Sequence, residues 1–273
     1  MLKDQKLQRL FDLVRGALFP PPGRARIIVA YAYGIICHAL VGLEVLDMIA
    51  AKIFGMSKSL GQVPAPWSVI ANAALILQFP LVHSLLLTKR GGKSLSKLAP
   101  KRYGATLATT TYAIVASFQL LALFALWTPS GIIWWQAEGV AFWVICTAYA
   151  ASWALLIKAS YDAGAEVQSG ALGWMSLAQD AKPKFPDMPS TGTFRFIRQP
   201  IYVAFALTTW TVPVWTPDQL ALAIALTAYC LAAPMLKERR FAKRYGDQFA
   251  RYKSQVPYAI PRLPKQGSKA FRS

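Results

Sequence analysis

Six apolar stretches, separated by charged or proline-rich segments, leave this chain few ways to fold. Residues 27–49, 67–87, 105–127 and 140–157 are near the roughly 20 residues that a helix needs to cross a bilayer. Residues 220–236 are adequate, and residues 201–215 are short for the task. Pro213 and Pro217 force a turn between the last two stretches. Only 15% of the 273 residues are charged and 55% are hydrophobic, whereas a soluble chain carries about 25% charge. Mean hydropathy is +0.35. The expected fold class is an all-α integral membrane protein of about six transmembrane helices, with a cytoplasmic C-terminal helical cap over the last two spans.

The basic residues set the orientation. All but two of the 30 Lys and Arg fall in four segments: the N-terminus, the loop after the second span, the loop after the fourth and the tail from Lys237. Only Lys52 and Lys58 fall in the opposite loops. By the positive-inside rule, both termini are expected in the cytoplasm. The net charge of +18 therefore marks a membrane side rather than a nucleic-acid partner. Trp127, Trp134, Trp135, Trp210 and Trp215 fall at the outer edges, as an interfacial belt would. Glu44 and Asp47 are expected near that interface, and mid-span His38 in a helix–helix hydrogen bond.

Residues 1–26 lack the apolar core of a signal peptide and read as a cytoplasmic segment with an amphipathic helix over 7–18, ended by Pro20, Pro21 and Pro22. A four-helix membrane region follows over 27–159, and a cytoplasmic loop over 160–198 with a short interfacial helix at 170–178. Residues 199–262 form a core of two spans and a tail, and residues 263–273 are expected to be disordered. Cys37, Cys146 and Cys230 stand alone in apolar runs, so no metal site or disulfide framework is implied.

Two charged clusters bracket the last apolar hairpin: STGTFRFIRQPIY, ending at Tyr202, and KERRFAKRYGDQFARYKSQVPYAIP, starting at Lys237. Pro200 can start a helix, since its missing N–H is unneeded in a first turn. Arg198 then sits before a helix N-terminus that favours an anion, with Tyr202 on the first turn. Pro234 is expected to kink the last span. Glu238 follows one turn later, ionised and paired, or placed to bind a hydroxyl pair or a cationic group. Tyr245, seven residues on, lies on the same helical face. Gly246 can end that helix. Phe249 and Tyr252 form an apolar edge, and VPYAIP closes the segment as an extended strap.

This set of motifs resembles the C-terminal signature of the isoprenylcysteine carboxyl methyltransferase superfamily. The family pattern is Arg-His-Pro-x-Tyr, a Glu at the end of the next span, a Tyr-x-x-Tyr-like element and a Val-Pro. The matching residues are Arg198, Pro200, Tyr202, Glu238, Arg239, Tyr245, Tyr252, Val256 and Pro257. Gln199 stands where the family has His; it can still donate and accept hydrogen bonds but carries no charge. Upstream, VHSLLLTKRGGKSL and RYGATLATTTYAIVASFQLLALFALWTPSGIIWW are similar to the branch that holds methanethiol S-methyltransferases and NnrU-type proteins, with Gln78, His83 and Ser84 at the end of the second span. A sterol-reductase motif, Arg-His-Pro-Asn-Tyr, is also similar, but Ile201 stands in place of its Asn.

The resemblance implies a membrane methyltransferase that uses S-adenosylmethionine on a small thiol or lipophilic acceptor, by methanethiol-like S-methylation or isoprenylcysteine-type carboxyl methylation. The alternative is a non-catalytic NnrU-like protein that supports nitrogen-oxide respiration. Arg198, Gln199, Pro200, Tyr202, Glu238, Arg239, Tyr245, Tyr252 and Pro257 would hold the cofactor. Methyl transfer from a sulfonium needs alignment more than acid–base groups. A thiol acceptor must nonetheless lose a proton, and His83 is the candidate imidazole, with Arg198 or another cation to stabilise the anion. The acceptor would arrive laterally through the bilayer or down a tunnel.

Overall fold

The structure is a computed structural model describing residues 2–261; the tail expected to be disordered lies outside the described residues. Nine α-helices form among these residues: α1 (Leu2–Leu18), α2 (Arg24–Ile53), α3 (Trp67–Leu86), α4 (Lys89–Lys97), α5 (Gly104–Ala125), α6 (Gly139–Gln168), α7 (Ala171–Ala178), α8 (Pro200–Trp210) and α9 (Pro217–Gln255). Two short strands, β1 (Trp135–Gln136) and β2 (Val214–Trp215), pair antiparallel.

Five helices, α2, α3, α5, α6 and α9, are long and apolar enough to cross a membrane. The sixth apolar stretch departs from the expectation. Its helix, α8, has 11 residues, about 16 Å at 1.5 Å per residue, or half of a ~30 Å hydrocarbon core. The chain beyond it is not helical, but Val212, Val214 and Thr216 are buried. Irregular backbone at membrane depth is tolerated where protein covers it.

The end of α8 explains a residue whose charge alone suggested a loop. Lys52 is fully buried, in the last turn of α2. Its Nζ donates to Thr208 Oγ1 (2.9 Å) and lies 4.8 Å from the centre of the Phe205 ring. A cation is favoured at a helix C-terminus, where the dipole is negative, and aromatic faces attract it further. Fully buried Gln219 donates to Thr209 O (2.7 Å) at the same helix end. Together they satisfy a half-length helix that stops inside the bundle. Glu44, expected near an interface, is likewise buried.

Two cores hold the bundle. One packs Met48, Met56, Leu123, Phe124, Leu222 and Leu226 around Trp127. Trp127 thus sits in the interior, not in an interfacial belt, and donates to Asp218 Oδ1 (3.0 Å). The other, at the end rich in Lys and Arg, packs Ala17, Ala30, Leu107 and Leu177. Helix α7 is largely buried between α2 and α5 rather than lying on a surface. Its Trp174 donates to His38 Nε2 (3.0 Å), so that histidine does join two helices. At its far end α9 breaks at Gly246, whose φ of 47° and ψ of −121° only glycine adopts readily.

Candidate active site

The turn before α8 and the tail of α9 are tied into one knot. Pro200 opens α8, which leaves the two preceding N–H groups outside the helix. Arg198 N donates to Pro257 O (2.9 Å) and Gln199 N to Tyr258 O (3.1 Å), so the strap pairs along the turn. The side chains complete it. Arg198 Nε donates to Glu238 Oε1 (2.8 Å), while Arg198 Nη1 donates to Val256 O (2.5 Å) and Lys253 O (3.2 Å). Gln199 Nε2 donates to the same Oε1 (2.8 Å). Arg198, Gln199 and Glu238 are all buried. Such charge-assisted bonds are strong, and a buried carboxylate needs them.

Around the knot, Tyr258 OH donates to Leu231 O (2.8 Å) and Tyr252 OH to Phe194 O (2.8 Å). Burial, then the Glu238 carboxylate nearby, pushes the Tyr258 phenol above its usual range, so it remains a donor at neutral pH.

The other motif residues divide between two cavities. One, of about 470 Å³, is lined by Arg198, Glu238, Arg239 and Tyr258. The second, of about 230 Å³, is lined by Tyr202, Lys237, Phe241 and Tyr245. Glu238 and Tyr245 were expected to share a face, and they do not share a cavity. Seven residues advance a helix by about 10 Å, and the Phe241 ring fills part of that interval, 5.5 Å from Tyr245 and 6.1 Å from Phe249.

His83 lies elsewhere, in the last turns of α3. Its Nε2 meets Tyr112 OH at 2.5 Å, and the rings of Phe79 and Tyr229 flank it at 4.9 and 6.3 Å. Its Nδ1 is buried and has no partner among the described residues. Just below, Gln78 Nε2 donates to Gln119 O (2.9 Å) and Gln119 Nε2 to Gln78 Oε1 (2.7 Å), which fixes α3 against α5. Gln78 and His83 thus both engage α5.

The structure does not join His83 to Arg198, which donates to Glu238 and to the carbonyls of Lys253 and Val256. Sequence reading missed Tyr112 and Tyr229 beside His83. The available signal was two phenols inside apolar runs, each needing a polar partner.

Comparison with known proteins adds to this geometry. No family model matches the chain, and no solved structure matches it. Methanethiol S-methyltransferase of Pseudomonas deceptionensis is 23% identical over 89% of this chain and 93% of its own length. The enzyme of the same name from Crocosphaera subtropica is 26% identical over 86% and 92%. That from Mycobacterium tuberculosis is 26% identical over 86% and 90%. The resemblance to the methanethiol S-methyltransferase branch holds over most of the chain. Their shared name supports a membrane methyltransferase.

Proposed function

We propose that this protein is a membrane-embedded, S-adenosylmethionine-dependent methyltransferase whose acceptor is a small thiol of the methanethiol kind. The observation that carries the reading is the meeting of Arg198, Gln199 and Glu238 in one buried knot within a chain similar to methanethiol S-methyltransferases along most of its length. The positive-inside bias supports an orientation with the knot on the cytoplasmic side of a bacterial inner membrane.

The residues present fit the donor. The cavity of about 470 Å³ lies in the roughly 300–1,000 Å³ range of small-molecule sites. It offers two guanidinium groups for a carboxylate, a carboxylate for hydroxyl or ammonium donors, and a phenol. Gln199 Oε1 is a buried acceptor still without a partner among the described residues. When bound, S-adenosylmethionine supplies an electrophilic methyl group on a sulfonium. Arg198, Arg239, Glu238 and the strap would hold it, with Tyr202 and Tyr245 forming the neighbouring wall.

The chain's own residues supply the rest. In the tautomer whose Nε2–H donates to Tyr112, the unprotonated Nδ1 of His83 takes the thiol proton and the ring becomes imidazolium. A thiolate among apolar helices loses its hydration and becomes more nucleophilic. A cation of the basic cluster that starts at Lys237 stabilises it electrostatically.

Incubating purified protein with labelled S-adenosylmethionine and a panel of thiols, prenylcysteines and phospholipids tests the reading. Label is expected in the volatile fraction with methanethiol. Label in a non-volatile prenylcysteine ester would replace thiol methylation by carboxyl methylation. No transfer to any acceptor would favour the non-catalytic alternative.

A further inference from the structure

A third cavity, of about 610 Å³, opens where α2 and α5 begin. Its wall carries Arg24, Arg26, Arg102 and Lys182 against one carboxylate, Asp180, with Tyr103 beside them. Neither helix has a side-chain N-cap, and neither has an acid in its first turn. The first N–H groups of both helices are therefore left for a ligand or solvent. Two positive helix ends and four cations in one concavity favour an anion.

Arg26 shows that the site is built. It is buried, with 7% of its surface exposed. One Nη donates to Pro21 O (2.6 Å) and Ala178 O (3.3 Å), and the other pairs with Asp180 (3.0 Å). Its Nε is buried with no partner among the described residues. The backbone is shaped around it. Gly23 has φ 155°, and a Cβ there would lie 2.9 Å from the guanidinium carbon. Any side chain at 23 would push Arg26 from the wall. Asp180 neutralises Arg26, which leaves Arg24, Arg102 and Lys182 facing the cavity as uncompensated charge.

We infer that this cavity binds a phosphate group, supplied by the head group of an anionic phospholipid. The location selects that source: α2 and α5 are of membrane-crossing length, so their N-termini lie at the depth of lipid phosphates. Each basic side chain near such a surface adds to the attraction. Tyr103 provides the amphipathic ring suited to that depth.

Thermal unfolding of the full-length protein separates the sources. In a phosphate-free maltoside detergent doped with phosphatidylglycerol, the melting temperature should rise by roughly 2–4 °C. The rise should vanish in the Arg24→Gln/Arg102→Gln double variant; both side chains are exposed. A rise with millimolar inorganic phosphate instead, lost in the same variant, would keep the site and assign it to the free anion. A rise that survives the double substitution, or none with either additive, overturns the proposal. Should the double variant fail to fold, Lys182→Gln, an exposed loop change, should reduce the rise and is read in the same way.

Discussion

The Glu238 knot and the His83 pair both bury polar groups at the ends of apolar helices, and they are built in opposite ways. Glu238 accepts from Arg198 and Gln199, and Arg198 in turn donates to the carbonyls of Lys253 and Val256. Among the described residues His83 has one hydrogen-bond partner, Tyr112, and a second nitrogen without one. A closed network resists change, because breaking one bond strands the rest. An open imidazole can exchange a proton at little structural cost. The knot is thus suited to hold geometry and a ligand, and the pair to move a proton.

Removing Glu238 should have the largest effect. Glu238→Ala strands a buried guanidinium and amide, and is expected to destabilise the protein by about 3–5 kcal/mol, read from thermal unfolding in detergent. A melting curve like that of the wild type would show that the knot holds nothing. His83→Ala comes next. It should lower the turnover rate by about 10²–10⁴ and leave donor affinity unchanged; an equal loss of affinity would merge the two regions into one. Tyr112→Phe removes the partner of Nε2 and should cost about tenfold in rate, near the worth of one hydrogen bond. Gln199→His should matter least. It keeps a donor for Glu238, so donor affinity is expected to change by no more than ~0.5 kcal/mol; a large change would mean that the Gln199 amide itself reads the ligand.

Much of this arrangement was readable in the sequence. Helix-length apolar runs need no tertiary information, and Arg198, Pro200 and Glu238 form a motif whose spacing survives in one dimension. Pro200 at the first turn of α8 and the break at Gly246 follow from backbone chemistry alone. What could not be read depends on contacts between helices. Lys52 looked like a loop residue because a charge is costly in lipid, and only the end of α8 and three aromatic rings make its burial tolerable. The half length of α8 was hidden because buried irregular backbone has the same composition as helix. Glu238 and Tyr245 share a helical face by periodicity, yet the Phe241 ring separates their cavities. Tyr112 meets His83 across α3 and α5, a pairing that no local spacing encodes.

Calorimetric titration of S-adenosylhomocysteine into the wild type, Glu238→Gln and His83→Ala tests the division of labour most directly. The wild type and His83→Ala should bind alike, while Glu238→Gln, which keeps the side-chain shape and loses the charge, should bind at least ~10-fold more weakly, as expected for a charge-assisted bond. Wild-type affinity in Glu238→Gln, or no binding by the folded wild type, would contradict the account.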